Sequence, residues 1–583
     1  MRKFTNLGEL ILYQNKNFAN PHFLNYKVNQ NYNSFSNQEF FRKITQFAIY
    51  LEKIGIKAGD KFANYSYQNP LWLIADFAGI VVGAITVPIF NNISNDNLFF
   101  ELKDSQTKFL FIDNPQICDL VHNNFPEIKI ITCGFKVDYA ESFENIVGVE
   151  LDKKSSKASE EHIADLIKNI KPSDIVTIVY TSGSTSLPKG VEISHEALVS
   201  QIHDSDEFFN LKSSEIVLSY LPLAHIFERM VMMYYISKGL SIYFVDDIKK
   251  LGICLQEIRP TLMTSVPRAL EKVFAKINNS IEEGSGVKKF LGRIALNSAL
   301  KKKYQSNKSP IDHILDLLVY KKFRLALGGK INMIICGGSP LSNDLENFYW
   351  NIGVKVYCGY GLTECSPVIS TNCPNNHKFT TVGKKFSSLQ IKIADDNELL
   401  VKGINVMKQY HHQPAKTAEA FNADGWFKTG DLASIDEEGY LKIIGRKKEL
   451  FKTSNGKFVH PILLEQQLVQ NLGFLQGAIV IAEAKPFVSV LLFIDYELLN
   501  NLKKRIRFNQ DNEKLFASTE LKNYIDKAID NINNKLDHWE QIKQYRIITQ
   551  PISIEAGDIT PSMKLKRNAL EQKFSKVINE IYQ

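Results

Sequence analysis

Short apolar, β-branched runs alternate with longer helical patterns through most of this chain. KFANYSYQNP is followed by LWLIADFAGIVVGAI, DIVTIVYTSG by HEALVSQI, and INMIICGGSP by LSNDLENFYWNIG. Each pair reads as a strand and then a helix. The alternation predicts an α/β architecture: mixed, mostly parallel sheet with helices on its faces. Ligands of such sheets bind beyond the carboxyl ends of strands, so the loops directly after the apolar runs hold the candidate residues.

The texture changes from Thr381 to Tyr440, where short strands with turn signals (LQIKIADDNELLVKG, NADGWFKTGDLASIDEEGYLKIIG) predict a small, antiparallel, barrel-like β region. A charged break, GRKKELFK at Gly445–Lys452, separates it from further strands and helices. The predicted domains are 1–445, with residues 381–444 as its β-rich part, and 446–583 as a smaller α+β domain. The stretch Lys288–Lys330 reads as a solvated helical excursion; its cationic run LKKKYQSNK leaves a membrane-surface role as the alternative. Seven cysteines without CxxC spacing predict neither a zinc site nor a disulfide framework, and suit a reducing cytoplasm. The opening MRKFTNLGELILYQNKNF has its apolar run broken by polar residues, unlike a signal peptide. No window approaches the roughly 20 apolar residues of a spanning helix, so any membrane contact is peripheral, at the inner face. The net charge of +7 suits small anionic partners, with no nucleic acid expected. The oligomeric state is left open, a dimer included.

After the strand Asp174–Tyr180 comes TSGSTSLPKGVEISH, Thr181–His195. Glycines and small hydroxyl residues let a backbone approach an anion and offer it N–H and O–H donors. Lys189 adds a mobile charge. Lysine precedes Gly190 here, so this is not the Walker loop, which needs Gly-Lys-Ser/Thr.

YTSGSTSLPKG resembles the phosphate loop of the adenylate-forming (AMP-binding) superfamily. LPLAHIFER (Leu221–Arg229), ICGGSPLS (Ile335–Ser342), YCGYGLTECSP (Tyr357–Pro367), DGWFKTGDLASIDEEGYLKIIGRKKELFK (Asp424–Lys452) and DITPSMKLKR (Asp558–Arg567) follow in that superfamily's order and spacing. LPLAHIFER with the DGWFKTGD block is most similar to long-chain fatty acid–CoA ligases. The resemblance implies the adenylate-forming fold, with a large N-terminal domain and a mobile C-terminal one. It also implies fatty acid, ATP and coenzyme A as substrates, and Mg²⁺.

By the same resemblance, Thr181, Ser182, Gly183, Ser184, Thr185 and Lys189 hold phosphate. Gly337, Gly338 and Ser339 line the adenine site at a strand end, where the glycines' lack of a side chain lets a flat base approach, although alone they read as a turn. Tyr360 stacks on adenine beside Gly361, Thr363 bonds the α-phosphate, and Glu364 binds Mg²⁺ with help from Thr181. Asp431 accepts from the ribose hydroxyls, although a turn aspartate is the alternative, and Arg446 reaches the nucleotide. His225 orients the substrate carboxylate or is merely structural. Adenylation enzymes for amino acids carry an aspartate in this region; Leu221–Phe227 has no acidic residue, which argues against an amino acid. Lys564 matches the catalytic lysine, although Met563 departs from the common Ser-Gly-Lys form and Lys566 lies close by. Gly445, where many relatives have aspartate, is the expected hinge, and Asn455, Gly456 and Lys457 would flank coenzyme A. Two alternatives stand beside the fatty acid–CoA ligase: a ligase delivering to an acyl-carrier protein, and a nucleotide-binding pseudoenzyme scaffold.

Overall fold

A computed structural model of the chain describes all residues except 1–2, 30, 149–152, 182–187, 305–308, 448–450, 455–456, 507, 554–555 and 561–564. Two large sheets form the N-terminal part. One has seven strands, parallel from Glu141–Ser142 at one edge through Lys61–Tyr65 and Ile85–Pro88 to Ile175–Thr181, and closes with the antiparallel strand Lys189–Ser194. The other has nine strands. Its parallel centre runs Ser241–Phe244, Ile216–Ser219, Leu262–Ser265, Met333–Cys336, Lys355–Gly361. Strand Leu262–Ser265 is buried at all four positions, the continuous pattern of a strand covered on both faces rather than an alternating one.

The helix Pro70–Val81 sits between these sheets. Asn69 caps it by accepting from the N–H groups of Leu71 and Trp72, and Pro70 occupies the first turn, where its missing donor costs nothing. Every residue of the helix but Leu71 is buried, which is why it lacks a polar stripe. It touches Lys61–Tyr65 and Ile85–Pro88 of one sheet and Leu24–Val28 of the other.

At the centre of that sandwich lies an ion pair. Arg229 and Asp76 are almost wholly inaccessible. The guanidinium donates to both Asp76 oxygens, at 2.9 and 2.7 Å, and to the hydroxyls of Thr177 (2.7 Å) and Thr86 (2.6 Å). The threonines in turn donate to carbonyls of each other's strands, Thr177 to Thr86 O and Thr86 to Val176 O. A buried charge is tolerable only when its donors are satisfied in this way. The result fixes the strand that ends at Thr181.

The expected antiparallel region is a four-stranded sheet, Leu389–Ile393, Glu398–Gly403, Phe427–Ile435 and Leu441–Arg446. Beyond it, Leu475–Ile481, Val488–Ile494 and Ile542–Ile548 form a three-stranded sheet with separate cores on its two faces. Val480, Val490 and Leu492 point into one core, whereas Ile479, Leu491 and Phe493 point into the other, the alternation of period two that a strand imposes. These two cores begin at Phe451, while the larger N-terminal core ends at Leu441 and Ile443. Hydrogen bonds between the two portions include Arg268 to the Leu475 and Gln476 carbonyls and Gln466 to Pro340 O. All seven cysteines are free, and all but Cys358 are buried. No described helix is long and apolar enough to cross a membrane.

Candidate functional site

A cleft of about 3160 Å³ runs over the carboxyl ends of the parallel strands and is lined by both portions of the chain. Thr181 and Lys189 face one another across the antiparallel pair, and the Thr181 hydroxyl makes a long 3.4 Å hydrogen bond to Lys189 O. Ser182, Gly183, Ser184 and Thr185 lie outside the described residues.

The segment Lys408–His411 is sewn onto the strand Lys189–Ser194 by backbone hydrogen bonds, among them His411 N to Gly190 O at 2.7 Å and Glu192 N to Gln409 O at 3.1 Å. This brings Tyr410 into the site. The Lys189 ammonium stands 4.9 Å above the Tyr410 ring, and the Tyr410 hydroxyl donates to Glu364 Oε1 at 2.8 Å. Cation, hydroxyl and carboxylate thus meet at the exit of the glycine-rich loop. Burial, and then the Glu364 charge, push the Tyr410 hydroxyl well above its ordinary range, so it acts as a donor at neutral pH.

The turn bearing Glu364 is held from two sides. Gln201, fully buried on the helix His195–Phe209, donates to the Cys365 and Val368 carbonyls and accepts from Val368 N. Met407 N donates to Glu364 O at 2.7 Å. Tight closure of this turn also explains Gly361: a Cβ there would lie 1.8 Å from Pro367 O, an impossible contact. Gly338 has φ +84°, the left-handed region in which glycine is unstrained. Gly337 lines the cleft, and a Cβ there would meet the Phe227 ring at 3.0 Å, so the position is closely packed.

Asp431 lies within the strand Phe427–Ile435, so the turn alternative does not hold. It is buried and pairs across the sheet with Arg446. Tyr360 donates its hydroxyl to Asp431 Oδ2 at 2.5 Å, and Arg446 Nε reaches Oδ1 at 3.2 Å. Burial and the neighbouring Asp431 carboxylate raise the Tyr360 hydroxyl well above its usual range. A carboxylate retains accepting capacity after two such bonds. Thr363 and Ser339 line the same cleft.

His225 has an identifiable structural task. It is the N-cap of the helix Ile226–Ser237, its Nδ1 accepting from Phe227 N at 3.2 Å, while its ring still lines the cleft. Next to it, Glu228 is buried and accepts from the Ser219 hydroxyl at 2.6 Å; burial pushes its carboxyl up to about 8. Burial thus favours its uncharged form.

The remaining expected residues fall in the C-terminal portion or at its border. Gly445 is a strand residue paired with Leu432. Lys457 rests its ammonium 4.9 Å over the Trp539 ring and bonds through its backbone to Thr453. Asn455, Gly456 and Lys564 lie outside the described residues. Thr560 and Leu565, on either side of Lys564, line the cleft, as does Lys566. Tyr410, Gln201, Arg229 and Asp76 were not anticipated. The only signal for Arg229 was its place in LPLAHIFER.

Two α/β sheets, an antiparallel sheet and a smaller portion meeting over one cleft define the architecture of an adenylate-forming enzyme. The chain belongs to the AMP-binding enzyme family, which matches residues 14–411, and the AMP-binding enzyme C-terminal domain matches residues 449–583. It is 34% identical over 565 residues to the long-chain-fatty-acid–CoA ligase FadD15 of Mycobacterium bovis, covering 93% of this chain and 91% of that one. It is 30% identical over 598 residues to long-chain-fatty-acid–CoA ligase 5 of Mus musculus, covering 96% and 85%. Among solved structures it is similar in fold to the adenylation domain of a carboxylate reductase from Mycobacterium chelonae (TM-score 0.77, 17% identity, 99% and 91% covered). The o-succinylbenzoate CoA synthetase of Bacillus subtilis, in complex with its acyl-adenylate intermediate, is a second such neighbour (TM-score 0.68, 19% identity, 96% and 97% covered).

Proposed function

We propose that this chain is a long-chain fatty acid–CoA ligase, forming a fatty acyl-adenylate from ATP and passing the acyl group to coenzyme A. The observation that carries the reading is the division of the cleft. One part gathers Lys189, Tyr410 and Glu364, another gathers Tyr360, Asp431 and Arg446, and elsewhere the lining includes apolar side chains of one packed cluster, Leu251, Val266, Ala269 and Val273. Triphosphate, nucleoside and aliphatic tail are the ligands such a partition suits.

A carboxylate oxygen attacks the α-phosphorus and the bond to pyrophosphate breaks. The thiolate of coenzyme A then attacks the acyl carbon, and AMP leaves with the bridging oxygen. Both substrates of the first step are anions, so the protein contributes mainly positioning and charge neutralisation. Lys189 and the 181–185 hydroxyl and glycine residues hold phosphate, Thr363 bonds the α-phosphate, and Asp431 accepts from the ribose. Buried Glu228 and the capping His225, which line the cleft, would stand along the carboxylate's approach. Lys564, between cleft-lining neighbours, supplies the ammonium that offsets charge on the carboxylate and phosphorus. The chain would have a mobile C-terminal domain, 446–583, turning about Gly445 so that Lys564 withdraws and residues Asn455, Gly456 and Lys457 take its place for the thiol step.

No cluster of three or more His, Cys, Asp or Glu able to hold a metal occurs among the described residues. A hard cation bound through one carboxylate, one hydroxyl and phosphate oxygens suits this donor set, and Mg²⁺ commonly binds in that manner. Glu364, with Thr181, would hold it, and when bound it neutralises phosphate charge. Replacement Glu364→Gln is expected to raise the Mg²⁺ concentration for half-maximal rate by about tenfold or more. An unchanged Mg²⁺ titration would remove Glu364 from this role. The reading as a whole is tested by supplying oleate, ATP and Mg²⁺ with either coenzyme A or an acyl-carrier protein: oleoyl-CoA and AMP are expected. Acylation of the carrier alone, or no AMP from any acid between acetate and very long chains, would contradict it. A cytoplasmic location, with peripheral contact at the inner face of a membrane, fits a substrate of this kind.

A further inference from the structure

Residues 286–330 contain eleven Lys or Arg and only two Asp, a net charge of +9. The whole chain carries +7, so the excess positive charge of the molecule resides in this stretch and the remainder is slightly acidic. The same stretch holds a concentration of exposed large apolar side chains. On the helix Gly286–Lys301, Val287 (73% exposed), Phe290 (64%) and Ile294 form a ridge at i, i+3, i+7. On the next helical run, Pro310–Leu325, Ile311 (67%), Ile314 and Leu317 (72%) form a second.

Each helix buries its opposite face, Ala295, Leu296 and Ala299 on the first and Leu315, Val319 and Phe323 on the second, in one shared core. The Tyr320 hydroxyl donates to Ala295 O and ties the two together. Both are therefore anchored to the body, and both turn an apolar ridge outward. Lys288, Lys301, Lys321 and Lys322 are exposed on the same two helices, and Lys303 is exposed just beyond the first. Asp312 and Asp316 are already paired, with Lys302 and Arg324 respectively.

We propose that these two helices form a docking surface for a bilayer containing anionic phospholipid. Exposed apolar ridges flanked by lysines are the composition of interfacial helices: the ridges enter the headgroup–acyl boundary while long cationic side chains reach the phosphates. A second copy of this chain is disfavoured, because a two-fold interface would set +9 against +9. Lysine is also depleted at protein interfaces generally. The surface continues from the cleft: Val273, Lys276, Ser280 and Glu283 line it along the helix Pro267–Glu283, and the first docking helix begins three residues later. A lipid-borne acid would leave the bilayer beside the apolar part of the cleft. The docking itself does not depend on the chemistry proposed above.

The full chain is tested by co-sedimentation with vesicles of phosphatidylcholine alone and of phosphatidylcholine mixed with phosphatidylglycerol. Binding is expected with phosphatidylglycerol, falling as salt rises. Lys321→Glu with Lys322→Glu should weaken it by about thirty-fold or more, and Phe290→Asp with Leu317→Asp by roughly tenfold or more. Acyl-CoA formation from dissolved octanoate and the unfolding temperature should be unchanged in both variants, since these side chains are exposed. Equal binding to both vesicle types, undiminished binding by the variants, or no binding by the parent chain overturns the proposal. So does a parent dimer in light scattering that the variants convert to monomer, which would make the surface an interface between copies.

Discussion

Replacing Lys564 with alanine is expected to lower fatty-acid-dependent pyrophosphate release by a factor on the order of 10²–10³ or more, the loss that follows removal of one oriented charge donor in a water-poor site. Thioester formation from preformed acyl-AMP should keep most of its rate. The two outcomes separate because the charges differ. In the first step two anions approach, and an ammonium is needed between them. In the second the acyl group is already joined to a good leaving group, and the proposed rotation would have turned the lysine away. Its chain neighbours constrain where it can act: Thr560 and Leu565 line the cleft, while Leu565 bridges to Ile559 and packs against Gly477. Lys566 is the control. Its backbone N–H donates to Asp558 O and its side chain also lines the cleft, so Lys566→Ala should have much the smaller effect on pyrophosphate release. Equal loss of both half-reactions in Lys564→Ala would remove the assigned role, and a larger loss in Lys566→Ala would transfer it.

Replacing Arg229 with methionine is expected to destabilise the N-terminal portion by about 3–5 kcal/mol, because it leaves the Asp76 carboxylate buried without its partner. Thr86 and Thr177 lose their donor at the same time. Asp76→Leu alone should cost a similar amount through an unpaired guanidinium. The double variant should recover much of the loss, since replacing both ions of a buried pair by apolar groups is often close to neutral. Urea unfolding of the four chains forms a double-mutant cycle with a large coupling term. Thr177 lies four residues before Thr181 on one strand. The single variants should therefore also weaken ATP use while folded, and a recovered double variant should restore it. Independent, additive effects would mean that the pair does not hold the strand.

The sequence carried the strands, the helices that follow them and the order of the loops, because those depend on residues close in the chain. Strand Met333–Cys336 is a four-residue apolar run whose next residues open onto the cleft, and local pattern is enough to find it. What escaped was cross-chain geometry. Tyr410 sits in no periodic pattern, and its place depends on backbone pairing with a strand over two hundred residues away, as in the bond from Glu192 N to Gln409 O. Arg229 reaches Asp76 across 153 positions. Gln201 looks like one more polar residue on an amphipathic helix until its amide meets the carbonyls around Glu364. The Phe227 ring that packs against Gly337 comes from a helix more than a hundred residues earlier in the chain. Lysine and glutamate identities were legible, but not the tyrosine that joins them.

The central claim is that a fatty carboxylate attacks the α-phosphorus of ATP. Oleate labelled with oxygen-18 in both carboxylate oxygens, turned over with ATP and coenzyme A, tests it most directly by mass spectrometry of the products. One labelled oxygen is expected in the phosphate of AMP, one in oleoyl-CoA and none in pyrophosphate. Label in inorganic phosphate with ADP as the nucleotide product, or unlabelled AMP, would contradict it.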